Sequence, residues 1–420
     1  MRKNQILGAL ALLGAFLMAG SPAWAEEASI EERLKRLEEK LGGGEQPAGQ
    51  EGQDVPLAAP EGPHRRSRGW TLSDSTSIGA YGEFIYNNKL GDAQEDQLDA
   101  RRVVLFLAHE FSDEWHFFTE IEFEHAGEEV GIEQGFIDYL PMDEFGVQAG
   151  VLLVPVGIVN LAHEPTTFYF AERPRVDRFL VPTTWRELGV LAHGTIGSLS
   201  YQAGVLGSGK IPTGSALGDG LSDFSTEGIR GIRQNAIEAK ANDFAVVGRL
   251  EFRPVNELTL ATSGYSGEID QDEAAPRDAR ITIWETDARI QWEELDIRGQ
   301  YVLVWIGDAA ALNVLPLVDT TAVPERMHGG YVEAAYNFLP LIVSDTKQKL
   351  FIAFRGEWLD LQNKIASNGV KDPEGRQDEY NIGLAWKPIE QIIVKADYQI
   401  RKKDAGPVAN QANASVGFSF

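Results

Sequence analysis

Between Trp70 and Phe420 the chain repeats a single pattern, in which apolar and polar residues alternate in short segments. The first four are "SIGAYGEFIYNN" (77–88), "LDARRVVLFLAHEF" (98–111), "EWHFFTEIEFEHA" (114–126) and "IEQGFIDYLP" (132–141). "EFGVQAGVLLV" (144–154), "RELGVLAHGTI" (186–196), "SLSYQAGVLGS" (198–208) and "DFAVVGRLEFR" (243–253) follow. The remainder are "ELTLATSGYSG", "RITIWETDARIQW", "LDIRGQYVLVWIG", "GYVEAAYNFL", "KLFIAFRGEWLDL", "EYNIGLAWK", "QIIVKADYQIRK" and the final "NASVGFSF". A period of two is that of a β-strand with two unlike faces. Each segment is near the roughly ten residues that cross a bilayer as a tilted strand. The pattern predicts about sixteen strands.

The connections narrow the architecture further. Even-to-odd links are tight turns at Ser112-Asp113, Pro141–Asp143, Gly197, Pro254–Asn256, Glu293-Glu294 and Pro388–Glu390, with one longer link at Pro340–Lys347. Odd-to-even links are longer and polar, the largest being 155–185, 208–242 and 307–328. Short turns on one side and long loops on the other are the asymmetry of an outer-membrane barrel, periplasm against exterior. A soluble β-sandwich gives no reason for such sorting. The expected fold is all-β, an antiparallel transmembrane β-barrel over 70–420 with both ends on the short-turn side.

Strand parity says what faces what. Ile392, Val394, Ala396, Tyr398 and Ile400 oppose Ile393, Lys395, Asp397, Gln399 and Arg401. Ala288, Ile290 and Trp292 oppose Asp287, Arg289 and Gln291, and Phe244, Val246, Leu250 and Phe252 oppose Arg249, Glu251 and Arg253. Buried charge is costly unless paired, so the charged face is expected to line water and the apolar face to meet lipid. Tyr86, Trp115, Tyr139, Trp292, Trp305, Trp358 and Trp386 stand near strand ends, where interfacial aromatic girdles belong. In the last segment Ala414, Val416, Phe418 and Phe420 share one face, so this strand is expected to close the barrel against the first.

The N-terminal stretch "MRKNQILGALALLGAFLMAGSPAWA" pairs a basic start with a short apolar run and Ala23-Trp24-Ala25, which reads as an export signal over 1–25. Residues 26–44 contain "SIEERLKRLEEKL", with Ile30, Leu34, Leu37 and Leu41 on a coiled-coil seam. A solvated periplasmic helix and a self-association element both fit so short a seam. Residues 45–69 are rich in Gly, Pro, Gln and charge and read as a linker. The chain has no cysteine, which excludes disulfides and thiolate metal sites. Its 63 acidic and 38 basic residues give a net charge of −25, against nucleic acid as a partner.

The segments "GAYGEFIYNN", "LDARRVVLFLAHEFSDEWHFFTEIEFEHA" and "FIDYLPMDEFGVQAGVLLVPVGIVN" resemble the phosphate-selective porin O and P family, as does "RELGVLAHGTIGSLSYQAGVLGSG". The likeness covers 77–420 and is clearest over 77–207. It implies a homotrimeric, water-filled channel for small ionic solutes in outer-membrane lipid and lipopolysaccharide. The closing "VGFSF" is similar to the C-terminal signal of the barrel-assembly machinery, with Phe420 as its terminal aromatic. It also implies that the third long loop, here 155–185, folds inward as a constriction. Arg173, Arg175 and Arg178, flanked by Glu164 and Glu172, are then the constriction candidates, with Arg249, Arg253, Arg289, Arg298 and Lys395 on the lumen wall. Lysines are few and acids abundant for a phosphate-selecting pore, so anion preference and a general or cation-preferring pore both stay open. So does a second role for the loop arginines, pinning the loop to acidic wall residues.

Other signals are weaker. "GVLGSGKI" (204–211) has the phosphate-loop spacing but Ile211 where Ser or Thr is needed. His109, His116 and His125 stand at spacings unlike those of metal ligands, so no metal or cofactor is expected. The acidic stretches "GDAQED" and "IDQDEAA" lack the glycine punctuation of a calcium loop. An enzyme would need a nucleophile or acid–base set at one rim; His193 is the only candidate near a strand end, so no enzyme is expected. A structural barrel tethered through its N-terminal helix is the remaining alternative.

Overall fold

The computed structural model describes residues 70–73, 75–90, 96–212, 224, 227–271, 279–314, 322–406 and 408–420. The export segment, the helix carrying Ile30, Leu34, Leu37 and Leu41, and the linker lie outside the described residues. The strands are β1 (Trp70–Ser73), β2 (Thr76–Leu90), β3 (Gln97–Glu110), β4 (Trp115–Glu124), β5 (Glu129–Met142) and β6 (Phe145–Leu153). Next come β7 (Arg186–Ile196), β8 (Leu199–Gly207), β9 (Phe244–Val255), β10 (Leu258–Glu268), β11 (Arg280–Trp292) and β12 (Leu295–Ile306). The last are β13 (Pro324–Asn337), β14 (Lys349–Ile365), β15 (Arg376–Ile389), β16 (Ile392–Lys403) and β17 (Asn410–Ser419).

From β2 to β17 each strand pairs antiparallel with its neighbour in sequence, and β17 pairs back onto β2, closing a sixteen-stranded barrel. At the seam Asn413 lies opposite Asn87 and Ser419 opposite Tyr81. Phe420 donates its N–H to Ala80 O at 2.8 Å and accepts from Ala80 N at 2.9 Å, which seals the last backbone groups. β1 is a short addition along the start of β2. β13 begins at Pro324 rather than near Gly330. "PERMHG" shows little alternation, but its backbone pairs with β12 and β14 and Met327 is buried.

The outer face follows the parity of the sequence: Phe84, Leu105, Val190, Leu250, Phe354 and Ile382 are exposed, forming the apolar surface that suits lipid. Near the short-turn rim Trp115 stacks on Tyr139 at 4.6 Å, with Trp292 exposed, and Trp305 lies near the opposite end of its strand.

The inner face departs from the expectation of a charged, water-lined wall. Along β12 it runs from Asp296, Arg298 and Gln300 to Val302, Val304 and Ile306, all buried. β11 mirrors this gradient, with Ile281 and Ile283 at its loop end and Asp287 further on. The apolar ends pack with Val156, Val176, Leu180 and Trp185 of the 154–185 loop, and with Ile211, Ile229 and Ile232 of the next, forming a hydrophobic core inside the barrel. The charged level is itself mostly buried, and its members pair across strands. Arg298 meets Glu333 at 2.7 Å, Arg249 meets Asp287 at 2.7 Å, and Arg355 meets Glu333 at 3.4 Å. Burial of charge is tolerated when each ion is paired and hydrogen-bonded.

Candidate functional site

The loop between β6 and β7 enters through "LLVPVGIVN". Gly157 takes φ +79°, a conformation that disfavours other residues, and a Cβ there would meet Val181 Cγ1 at 3.0 Å. Two short helical turns follow, Ile158–Leu161 and Arg175–Phe179. A buried loop must find partners for its backbone groups, and here the far wall supplies them. Ile158 N–H donates to Gln300 Oε1 of β12 at 3.1 Å, Ala171 N–H to Asp397 Oδ2 of β16 at 2.7 Å, and Val176 N–H to Glu357 Oε2 of β14 at 3.1 Å. Wall cations cap its carbonyls: Lys395 Nζ donates to Phe170 O at 3.2 Å, Arg298 to Thr167 O at 3.3 Å, Arg355 to Glu172 O at 3.2 Å, and Arg102 to His163 O. Lys395 and Arg355 also sit over the Phe168 and Phe170 rings at 3.8 and 4.7 Å. The loop therefore lies inside the barrel, bound to strands opposite its own.

Its charged residues differ in the partners they meet. Glu172 accepts from Arg101 at 2.8 and 2.9 Å and from Asn87 at 2.7 Å. Burial opposes its charge, but Arg101 and Asn87 hold its carboxyl down at about 2. Arg173 donates to His163 O at 3.3 Å; burial and the neighbouring Arg102 guanidinium lower it to about 10. Arg175 donates to Gln377 of β15 and lies over the Phe179 ring at 5.0 Å, and burial lowers its pKa. Arg178 is exposed, 3.9 Å from Glu227 of the neighbouring loop. Glu164 is half-buried at the turn Pro165–Thr167, where its carbonyl accepts from Thr167 Oγ1 at 2.7 Å. Asp177 accepts from Gln300 at 3.1 Å, and burial pushes it up to about 7.

No protein-family model matches the chain. A protein of Aquifex aeolicus described as uncharacterized is 32% identical over 348 residues, which span 79% of this chain and 77% of that one. The chain belongs to that protein's family. Among solved structures, OmpF of Salmonella typhi in complex with daunomycin superposes with a TM-score of 0.56, covering 82% of this chain and 97% of that one at 11% identity. The outer membrane channel DcaP of Acinetobacter baumannii gives 0.52, covering 84% and 99% at 12% identity. At such identities the likeness is one of fold, and the fold is that of the outer-membrane porin barrel.

In this member of the family the wall residues nominated from sequence fall into two groups. Lys395 and Arg298 touch the inward loop. Arg249, Arg253 and Arg289 instead sit in wall ion pairs, with Asp287 at 2.7 Å, Glu251 at 3.2 Å and Asp296 at 2.5 Å respectively. Arg173, Arg175 and Arg178 take a carbonyl, an amide and a loop glutamate as their hydrogen-bond or ion-pair partners, and wall carboxylates interact with the first two, Glu83 and Glu133 with Arg173 and Glu379 and Glu357 with Arg175. Sequence reasoning missed Arg101, Arg102, Arg355, Glu357 and His163. Successive residues normally face opposite sides of a strand. A bulge across from Glu83 and Ile85 breaks that alternation in β3, so that Arg101 and Arg102 both reach the loop. The pairing of two arginines in "LDARRVV" was visible; the bulge was not.

Proposed function

We propose that the protein is an outer-membrane diffusion channel for small ionic solutes, with the 155–185 loop as its constriction. The observation that carries this reading is the loop's position inside the barrel, bound to β2, β3, β12, β14, β16 and β17 rather than folded over the rim. A general porin fold supports the same reading. Arg101 neutralises Glu172, and the hydrogen-bond acceptors of Arg173 and Arg175 are a carbonyl and an amide, which supports an anion preference at the loop although wall carboxylates lie near both arginines and the chain carries −25. The resemblance over 77–207 makes phosphate the anion to try first. Trimer formation, lipopolysaccharide at the outer rim, recognition of Phe420 by the assembly machinery and a periplasmic helix over 29–41 belong to this proposal.

Reversal potential and single-channel conductance in a planar bilayer under a KCl gradient, followed by phosphate titration, test it. Anion selectivity with phosphate block, weakened in Arg173→Ala and Arg175→Ala, is the expected result. Cation preference without block would make this a general pore. The apolar core inside the barrel favours a second reading, a closed structural barrel tied to the envelope by its N-terminal helix. Folded protein that never conducts would establish that reading instead.

A further inference from the structure

Glu120 of β4, Glu133 of β5 and His163 of the inward loop converge where the loop meets the wall, at 2%, 0% and 1% exposure. Their donor atoms lie within 4.8 Å of one another. His163 Nε2 is 3.3 Å from Glu133 Oε1 and 4.0 Å from Glu120 Oε2. Ligands about 2.0–2.1 Å from a tetrahedral zinc stand about 3.3 Å apart, so one edge already has the spacing and another is slightly open.

The surrounding groups orient these three as ligands are oriented. His163 Nδ1 lies 3.1 Å from Asn160 O, which only accepts, so the proton sits on Nδ1 and Nε2 turns toward the carboxylates. Gln134 Nε2 donates to Glu120 Oε2 at 2.6 Å. Tyr81 OH donates to Glu133 Oε2 at 3.1 Å and lies 2.9 Å from His163 Nε2. Among the described residues none makes a well-aligned hydrogen bond to Glu133 Oε1, which is fully buried and 3.3 Å from His163 Nε2. The charges point the same way: Glu83, Glu120, Glu122 and Glu133 are buried here, faced by Arg102 and Arg173. These carboxylates outnumber the guanidiniums that face them, and buried charge calls for compensation by a cation.

We propose that Glu120, Glu133 and His163 bind a divalent transition-metal ion of the zinc class, which staples the inward loop to β4 and β5. One imidazole with two carboxylates suits zinc better than calcium or magnesium, which take oxygen ligands in larger number. The ligands stand far apart in sequence and on three elements, so no spacing motif announces them.

The test uses the full-length chain, unfolded in urea and refolded into detergent with zinc or with EDTA, freed of excess metal and assayed by mass spectrometry. Heat-modifiable gel mobility reports that the barrel has folded. Wild-type protein refolded in zinc is expected to retain it stoichiometrically, and His163→Gln and Glu133→Gln to lose it. His163→Cys supplies a second readout in a chain without other cysteines. Refolded with cobalt, it should show a thiolate-to-cobalt charge-transfer band that Glu133→Gln in the same background weakens. Folded wild-type protein retaining no more zinc than folded His163→Gln, or no such band, would overturn the proposal and leave an imidazolium–carboxylate pair. Metal content is read without conductance, so this outcome stands apart from the fate of the channel reading.

Discussion

Arg101 of β3 grips Glu172 of the inward loop through two hydrogen bonds of 2.8 and 2.9 Å, joining the wall to the loop's charged tip. The paired geometry makes this stronger than a single ionic contact. Replacing either partner strands the other in a mostly buried position. Arg101→Ala and Glu172→Gln should each cost about 2 kcal/mol in urea unfolding and make single-channel traces noisier. Unchanged noise and stability would show that the other wall contacts hold the loop unaided.

Two acids in the loop titrate in opposite senses. Glu172 is held at about 2 against an ordinary 4.5, so its contribution is present above pH 4.5 and lost as pH falls through 2. Asp177 is raised from 3.8 to about 7, so its contribution is present below pH 3.8 and lost as pH rises through 7. Asp177→Asn should therefore stabilise the barrel at pH 8 and flatten its pH dependence between 4 and 7. Urea midpoints across that range decide it.

Arg173 offers a selectivity test. Its pKa of about 10 means that it loses charge under alkaline conditions in which an ordinary arginine keeps it. Anion preference should decline as pH passes 10, and Arg173→Ala should remove that decline. Reversal potentials at pH 8 and 11 make the comparison.

Trp185 carries the core within the barrel. It is fully buried, packs on Tyr265 at 4.7 Å and donates from Nε1 to Glu187 at 3.2 Å. Trp185→Ala should cost about 3–5 kcal/mol, whereas Trp292→Ala on the exposed outer face should cost far less in detergent. Similar losses would mean that the inner core contributes little to stability.

At the seam, Phe420 and Ala80 exchange two backbone hydrogen bonds. Deleting Phe420 removes both and the terminal aromatic, so the heat-modifiable, closed form should accumulate more slowly on refolding. An unchanged refolding rate would show that the β17–β2 ladder closes without it.

Strand number, turn placement, the closing pair and the lipid face were all legible in the chain, because each follows from local periodicity. Leu250 and Phe252 face outward and Arg249 and Glu251 inward, as alternation alone requires. "YVLVWI" (301–306) also held a clue that parity reading passed over. A continuous apolar run means apolar surroundings on both faces: Val302, Val304 and Ile306 pack in the inner core while Trp305 stays exposed on the outer face.

The sequence by itself determined a barrel and its two faces, since a strand's faces depend only on its own residues. Tertiary structure decided what fills the barrel. Whether Arg298 meets water or Glu333, and whether Arg101 faces lumen or lipid, depends on neighbouring strands, a bulge and a loop that folds inward. The trio of Glu120, Glu133 and His163 exists only where those elements meet. Charge burial is set by partners distant along the chain, and periodicity carries no information about them.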